Sequence, residues 1–172
     1  MDSETLRALQ APIKANYRED GASASFTLKA KGTLGAGITC KLETGRGPVE
    51  AGLHPATGGD GLAACSGDML LEALVACAGV TLQAVATALG IPLRGGTVHA
   101  EGDLDFRGTL GISKDVPVGF REIRLRFEIE SEATEEQLAT LLKLTERYCV
   151  IYQTLKIPPA TSATVETMDA RA

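Results

Sequence analysis

Cysteine is the residue type in this chain best suited to nucleophilic chemistry, because a thiolate is both a strong nucleophile and a metal ligand. Four are present, Cys40, Cys65, Cys77 and Cys149, with only two histidines, His54 and His99, to assist them. Their wide, uneven spacing matches neither a disulfide-dense secreted scaffold nor the paired close spacings of a zinc site, so no metal is expected. Local rules rank Cys65 first as a thiolate. It lies one residue before Ser66, the expected N-cap of a long helix, where free amides and the helix dipole favour negative charge. Cys77 falls in the middle of that helix, where burial raises a thiol's pKa unless a cation arrives from another segment. A buried free cysteine is also commonly a small packing residue, so packing and chemistry both stay open for Cys77. Cys149, beside Arg147 and Tyr148, is expected to end a helix, where the dipole opposes a thiolate. Cys40 falls in an apparent strand with Lys41 on the opposite face.

The elements that must position these thiols read as an α+β arrangement in one domain. Residues 14–43 suggest short strands, with "KANY" as the first, "REDG" as a turn and "ASFTLKAKG" and "ITCKLE" following; the Asp20-Gly21 pair is a hairpin signal. Residues 44–66, rich in Gly, are long for a structureless loop, a length typical of binding or covering segments. The apolar run from Asp68 to Leu89 predicts a buried helix that ends at Gly90, with Pro92 just beyond. Alternation predicts strands over residues 97–108 and 120–131, the second with Arg124, Arg126, Glu128 and Glu130 on a wet face. "TEEQ" at Thr134 is a capping box, opening a helix that reaches Cys149. "VIYQTLK" is a short segment, and Pro158-Pro159 prevents a helix before an expected last strand.

Length and composition bound the function. A chain of 172 residues forms one domain that buries about 70% of its unfolded surface. Its formal net charge of −5 argues against nucleic-acid binding. Glu72 and Gln83 interrupt the long apolar run, and no Lys or Arg flanks its start, so a core helix is favoured over a membrane span. The first residues lack the pattern of a signal peptide, which makes the expected location cytoplasmic.

Two motifs carry a resemblance: "DMLLEALVACAGVTLQAVATAL" around Cys77 and, about seventy residues later, "TERYCVIYQTL" around Cys149. In this order the chain resembles the OsmC/Ohr family of thiol-dependent hydroperoxide reductases, in its OsmC-like branch, over about residues 14–167 of the single 172-residue domain. The resemblance implies strongly curved antiparallel sheets wrapped around two central helices in a swapped homodimer, with residues 44–66 as a crossing or covering segment. It implies that Cys77 is the peroxidatic thiol, oxidised by a hydroperoxide to a sulfenic acid, and that Cys149 is the resolving thiol. Arg18 matches the activating arginine and Asp68 the carboxylate that orients it, with Glu72 as the competing acidic residue. No bound cofactor is implied; an external dithiol, lipoyl-type or another thiol, serves as reductant. Two prolines of the family pattern are replaced, one by Ser66 and one by Val150. Those replacements motivate a second reading, a non-catalytic homodimer that binds a small apolar ligand. Cys65 has no counterpart in the pattern and is either incidental or a third redox partner.

Overall fold

A computed structural model describes residues 3–34, 40–42, 51–62 and 64–165. The chain opens with helix α1, Ser3–Glu19, followed by a 3-10 turn over Gly21–Ala24. This corrects the expected strand at "KANY" and the hairpin at Asp20-Gly21. Leu6, Leu9, Ile13 and Tyr17 recur at helical spacing, and that longer period prevails over four residues read alone. Asp20 still organises a turn, but its carboxylate accepts from the Ala22 N–H at 3.0 Å and starts the 3-10 turn. Arg18 therefore sits in the last turn of α1.

Strands β1 (Ser25–Leu34), β2 (Cys40–Leu42), β5 (Gly95–Asp105) and β6 (Glu122–Glu130) form one antiparallel sheet in the order β2-β1-β5-β6. Ala100 marks the register, opposite Ala30 on one side and Leu125 on the other. Residues 43–50, which include the first part of the expected covering loop, lie outside the described residues. The remainder contains a small parallel pair, β3 (Ala51–Gly52) with β4 (Ala64–Cys65), which holds Cys65 opposite Gly52.

Helix α2, Ser66–Leu89, lies against β1 and β5 on one side and against α4 (Glu135–Tyr148) and α5 (Val150–Lys156) on the other. It is long and apolar enough to cross a membrane by length and composition, yet Leu71, Leu74, Val75, Ala78 and Leu82 are buried in the core. Gly90 ends it in the left-handed region at φ 66°. There the Ile91 N–H donates to the Ala86 carbonyl at 2.9 Å, closing the last turn as only a residue tolerant of positive φ permits. The capping box at α4 is formed, with Thr134 and Gln137 exchanging side-chain and backbone hydrogen bonds.

Two further expectations are corrected. The strand over residues 97–108 stops at Asp105, whose carboxylate accepts from the Arg107 N–H and caps a short helix α3, Phe106–Thr109. No strand forms over residues 158–165, and residues 166–172 are outside the described set.

Gly102 of β5 lies under the Phe120 ring and close to Leu71 of α2. A Cβ there would stand 2.5 Å from the Phe120 ring and 3.4 Å from Leu71 Cδ2. Gly102→Ala is expected to displace Phe120 and to lower stability by about 1–3 kcal/mol, the range for overpacking a filled core. Denaturant unfolding checks it, as a lower midpoint at unchanged slope.

Candidate functional site: a two-thiol pair between α2 and α5

Cys149 stands at the joint between two helices. Its N–H donates to the Thr145 carbonyl at 2.9 Å, closing α4, and its carbonyl accepts from the Gln153 N–H at 2.9 Å, opening α5. Its backbone is extended, at φ −72° and ψ 108°, so one residue serves as C-cap and N-cap. Gln153 Nε2 also donates to the Glu146 carbonyl at 2.7 Å and ties the joint together. The first N–H groups of α5 have no carbonyl partner within their own helix. The leading amides of α5 favour a thiolate on the nearby sulfurs, those of Val150 and Ile151 acting on Cys77 and those of Ile151 and Tyr152 on Cys149.

Cys77 is half-buried in mid-α2 and packs against the core cluster that contains the buried Cys149. Burial pushes its thiol up. That push is outweighed by the N–H of Ile151, the Cys149 S–H, the Thr81 hydroxyl and the N–H of Val150, which together bring it below its ordinary value. Cys149 is only 1% exposed, and burial, reinforced by the neighbouring Cys77 sulfur, pushes it up to about 11. The two thiols are thus split into an easily ionised one and a protonated one, the division expected of an attacking and a resolving thiol.

The other candidates do not converge on this pair within one chain. Arg18 is exposed at the end of α1 and forms no ion pair with Asp68 or Glu72 among the described residues. Asp68 lies in the first turn of α2; burial raises its pKa, and the nearby His54 partly offsets the rise. Glu72 is half-buried one turn further along α2. Cys65, not Ser66, is the N-cap of α2, and its side chain makes no capping hydrogen bond. At about 1.5 Å per residue, Cys65 lies about 18 Å along the axis from Cys77, so within one chain it cannot act as a third redox partner. The side chain of Cys40 is outside the described residues. His54 stacks on Phe106 with ring centres 5.0 Å apart, and His99 faces Glu128 at 3.2 Å on the sheet's wet face. No three His, Cys, Asp or Glu side chains gather to hold a metal among the described residues.

The donors to Cys77 escaped sequence reasoning. Backbone N–H groups carry no residue signature. Thr81 was accessible, since a residue four positions along a helix faces the one before it.

A cavity of about 520 Å³ opens between α2, β6 and α5, lined by Leu70, Leu74, Phe120, Ile123, Tyr152 and Leu155 with Arg121, Glu122 and Lys156 at its polar part, and neither thiol lines it. Leu74 lies one turn before Cys77, and Tyr152 and Leu155 follow Cys149 on α5. Of the apolar residues nearest Cys77 along α2, Leu74, Val75 and Leu82 are buried, whereas Val80 is 38% exposed. A second cavity, of about 370 Å³, shares Leu70 and Phe120 and extends to His54 and Cys65.

An antiparallel sheet packed on a long apolar helix, with two thiols meeting where that helix touches a helix joint, defines a mixed α/β protein with a paired-cysteine site. The chain belongs to the family of OsmC-like proteins, whose pattern matches residues 58–164. The fold is similar to that of an OsmC-like hydroperoxide resistance protein from Jannaschia sp. CCS1, with a TM-score of 0.60 and 15% identity over 85% of this chain and 96% of that one. It is also similar to an OsmC-like protein from Mycoplasma pneumoniae, with a TM-score of 0.54 and 19% identity over 78% of this chain and 86% of that one. No curated protein matches the chain in sequence. The family includes hydroperoxide resistance proteins.

Proposed function

We propose that the chain is a thiol-dependent peroxidase that reduces hydroperoxides, organic ones in particular. The observation that carries this reading is the contact between Cys77 and Cys149, with the first thiol lowered and the second raised. In the proposed cycle the Cys77 thiolate attacks the terminal oxygen of R–O–O–H. The O–O bond breaks, the alkoxide takes up a proton and leaves as an alcohol, and Cys77 becomes a sulfenic acid. Cys149 then attacks that sulfur; its proton and the hydroxyl leave as water, and a disulfide forms. An external dithiol, lipoyl-type or other, reduces the disulfide by two exchange steps and is itself oxidised. The apolar side chains packed around Cys77, Leu74 and Val75 among them, suit an alkyl group better than hydrogen peroxide.

The test is titration of free thiols after exposure to cumene or tert-butyl hydroperoxide. Loss of two thiols per chain without loss of a third is expected. Untouched thiols would leave the second reading, a homodimer whose cavity binds a small apolar ligand, and a Cys77 titrating well above about 8.5 would support that outcome.

A swapped homodimer belongs to the same proposal. Leu70, Ala73, Cys77, Val80 and Ala84 recur along α2 at alternating steps of three and four, the spacing of a helix-pairing seam. Leu70 and Val80 on that stripe are exposed in the single chain. A second chain closing on it would cover the thiol pair, and any role for Arg18 would have to be met in that assembly. Val80→Glu is expected to convert a dimer to a monomer, read as a halved mass by light scattering, because a charge in an apolar seam has no partner.

A further inference from the structure

The cavity between α2, β6 and α5 lies apart from the thiol chemistry, and its volume of about 520 Å³ is that of a small-molecule site. Its body is apolar, built from Leu70, Leu74, Ile123 and Leu155, and the rings of Phe120 and Tyr152 also line it. The chain has no Trp, four Phe and three Tyr, so rings are scarce, yet two of them meet on this one cavity. Phe120 is seated in place over Gly102, where a Cβ would stand 2.5 Å from the ring.

The polar part carries two cations and one carboxylate, Arg121, Lys156 and Glu122. The carboxylate already has a partner outside the lining, Arg124 at 3.3 Å. Arg121 reaches Asp105 only at 3.4 Å, while Arg107 holds that same carboxylate at 2.6 Å, so the Arg121 guanidinium keeps donors for another anion. Lys156 lies 5.8 Å from the centre of the Tyr152 ring and has no ion pair among the described residues. In a chain of net charge −5, an apolar cavity with surplus positive charge at one end is complementary to an apolar anion.

We propose that this cavity binds a small aromatic carboxylate, with its ring against Phe120 and Tyr152 and its carboxylate on Arg121 and Lys156. The molecule is held there and not turned over, so the inference goes beyond the peroxidase reading and stands without it. Ring pairing favours an aromatic body over an aliphatic one of similar size by about two- to tenfold. Leu70 also borders the α2 seam of the proposed dimer, so a second chain would wall the cavity on that side.

The test is fluorescence titration of 2-naphthoate with the reduced full-length protein, in the absence of hydroperoxide. Its neutral isostere 2-naphthalenemethanol and the aliphatic octanoate serve as competitors. One naphthoate per chain is expected, with the alcohol about tenfold weaker and octanoate weaker than naphthoate. Lys156→Gln and Arg121→Gln are each expected to weaken naphthoate by about three- to tenfold, the loss of one charge-assisted hydrogen bond at an exposed rim, and to leave the alcohol unchanged. Circular dichroism shows that each variant is folded; Lys156 stands outside the Asp105 cluster, so its variant carries the test where Arg121→Gln fails to fold. Equal affinity for naphthoate and the alcohol, or naphthoate binding untouched by Lys156→Gln, would overturn the proposal. Octanoate bound as tightly as naphthoate would overturn the aromatic assignment. Binding by the Val80→Glu monomer but not by wild type would overturn it as well, since a second copy of the chain would then be the occupant.

Discussion

Cys77→Ser is expected to reduce hydroperoxide consumption to the uncatalysed background, while Cys149→Ser leaves a single turnover that stops at a sulfenic acid. The asymmetry follows from the two environments. Cys77 is the thiol of the pair whose ionisation is eased below its ordinary value, so it is the more readily available nucleophile of the two. Cys149, pushed up to about 11 by burial, stays protonated and neither competes for the oxidant nor oxidises first. Without Cys149 the sulfenic acid has no resolving partner in contact and proceeds to sulfinic acid under excess oxidant. Intact-mass measurement separates the outcomes. Wild type loses two hydrogens per chain on disulfide formation, Cys149→Ser gains one and then two oxygens on Cys77, and Cys77→Ser changes at neither position. Equal loss of activity in both variants with no oxygen adduct in Cys149→Ser would contradict these roles.

The largest expected loss of stability comes from Asp105→Ala. The Asp105 side chain is fully buried, and it accepts from the Arg107 N–H at 3.1 Å, from Arg107 Nε at 3.0 Å and from the Arg107 terminal nitrogen at 2.6 Å, with Arg121 at 3.4 Å. Arg107 in turn lies against Gly21, where a Cβ would come within 2.3 Å of its guanidinium, so the cluster fastens the turn after α1 to the end of β5. Losing a helix cap and charge-assisted hydrogen bonds together is expected to cost about 3 kcal/mol. For a domain of this size that lowers the melting temperature by roughly 6–12 °C. The pH dependence has a defined sign. The Arg107 hydrogen bonds hold the Asp105 carboxyl below the usual carboxylate range. Its contribution is therefore complete above the unfolded-state pKa of about 3.9 and is lost as pH falls through the lower folded value. Asp103, held down to about 2 by its hydrogen bonds to Arg124 and Thr27, acts in the same acid window. Thermal melts from pH 7 to pH 2 should show wild type losing stability below about pH 4 and Asp105→Ala losing less over that range.

Much of the fold was legible because its signals are local and redundant. The long helix has a left-handed glycine at its end, α4 has a capping box in four residues, and β6 alternates apolar and charged side chains along its length. Failures came where a short pattern competed with a longer one. Four residues read as a strand lay inside the helical period of Leu6, Leu9, Ile13 and Tyr17, and the alternation through Phe106 continued past an aspartate that was in fact a cap. The site was legible in part. The resemblance picked out both thiols, while local electrostatics preferred Cys65, whose place at a helix start is real but which lies about 18 Å along the axis of α2 from Cys77. What activates Cys77 within the chain could not be read from charge. Its donors are amides and a hydroxyl brought together by tertiary packing, and Arg18, the charged candidate, lies exposed at the end of α1.

The joint at Cys149 ties chemistry to chain length as well as to residue identity. Successive residues of a helix are turned by about 100°. One residue inserted or removed between Tyr148 and Val150 would therefore swing the leading amides of α5 away from both sulfurs. Such a chain would keep each cysteine, the threonine and every short motif around them. It would still have lost the donors that set the two thiols apart, so among relatives of this protein the count of residues across that joint is a sharper guide to a working pair than the presence of the cysteines.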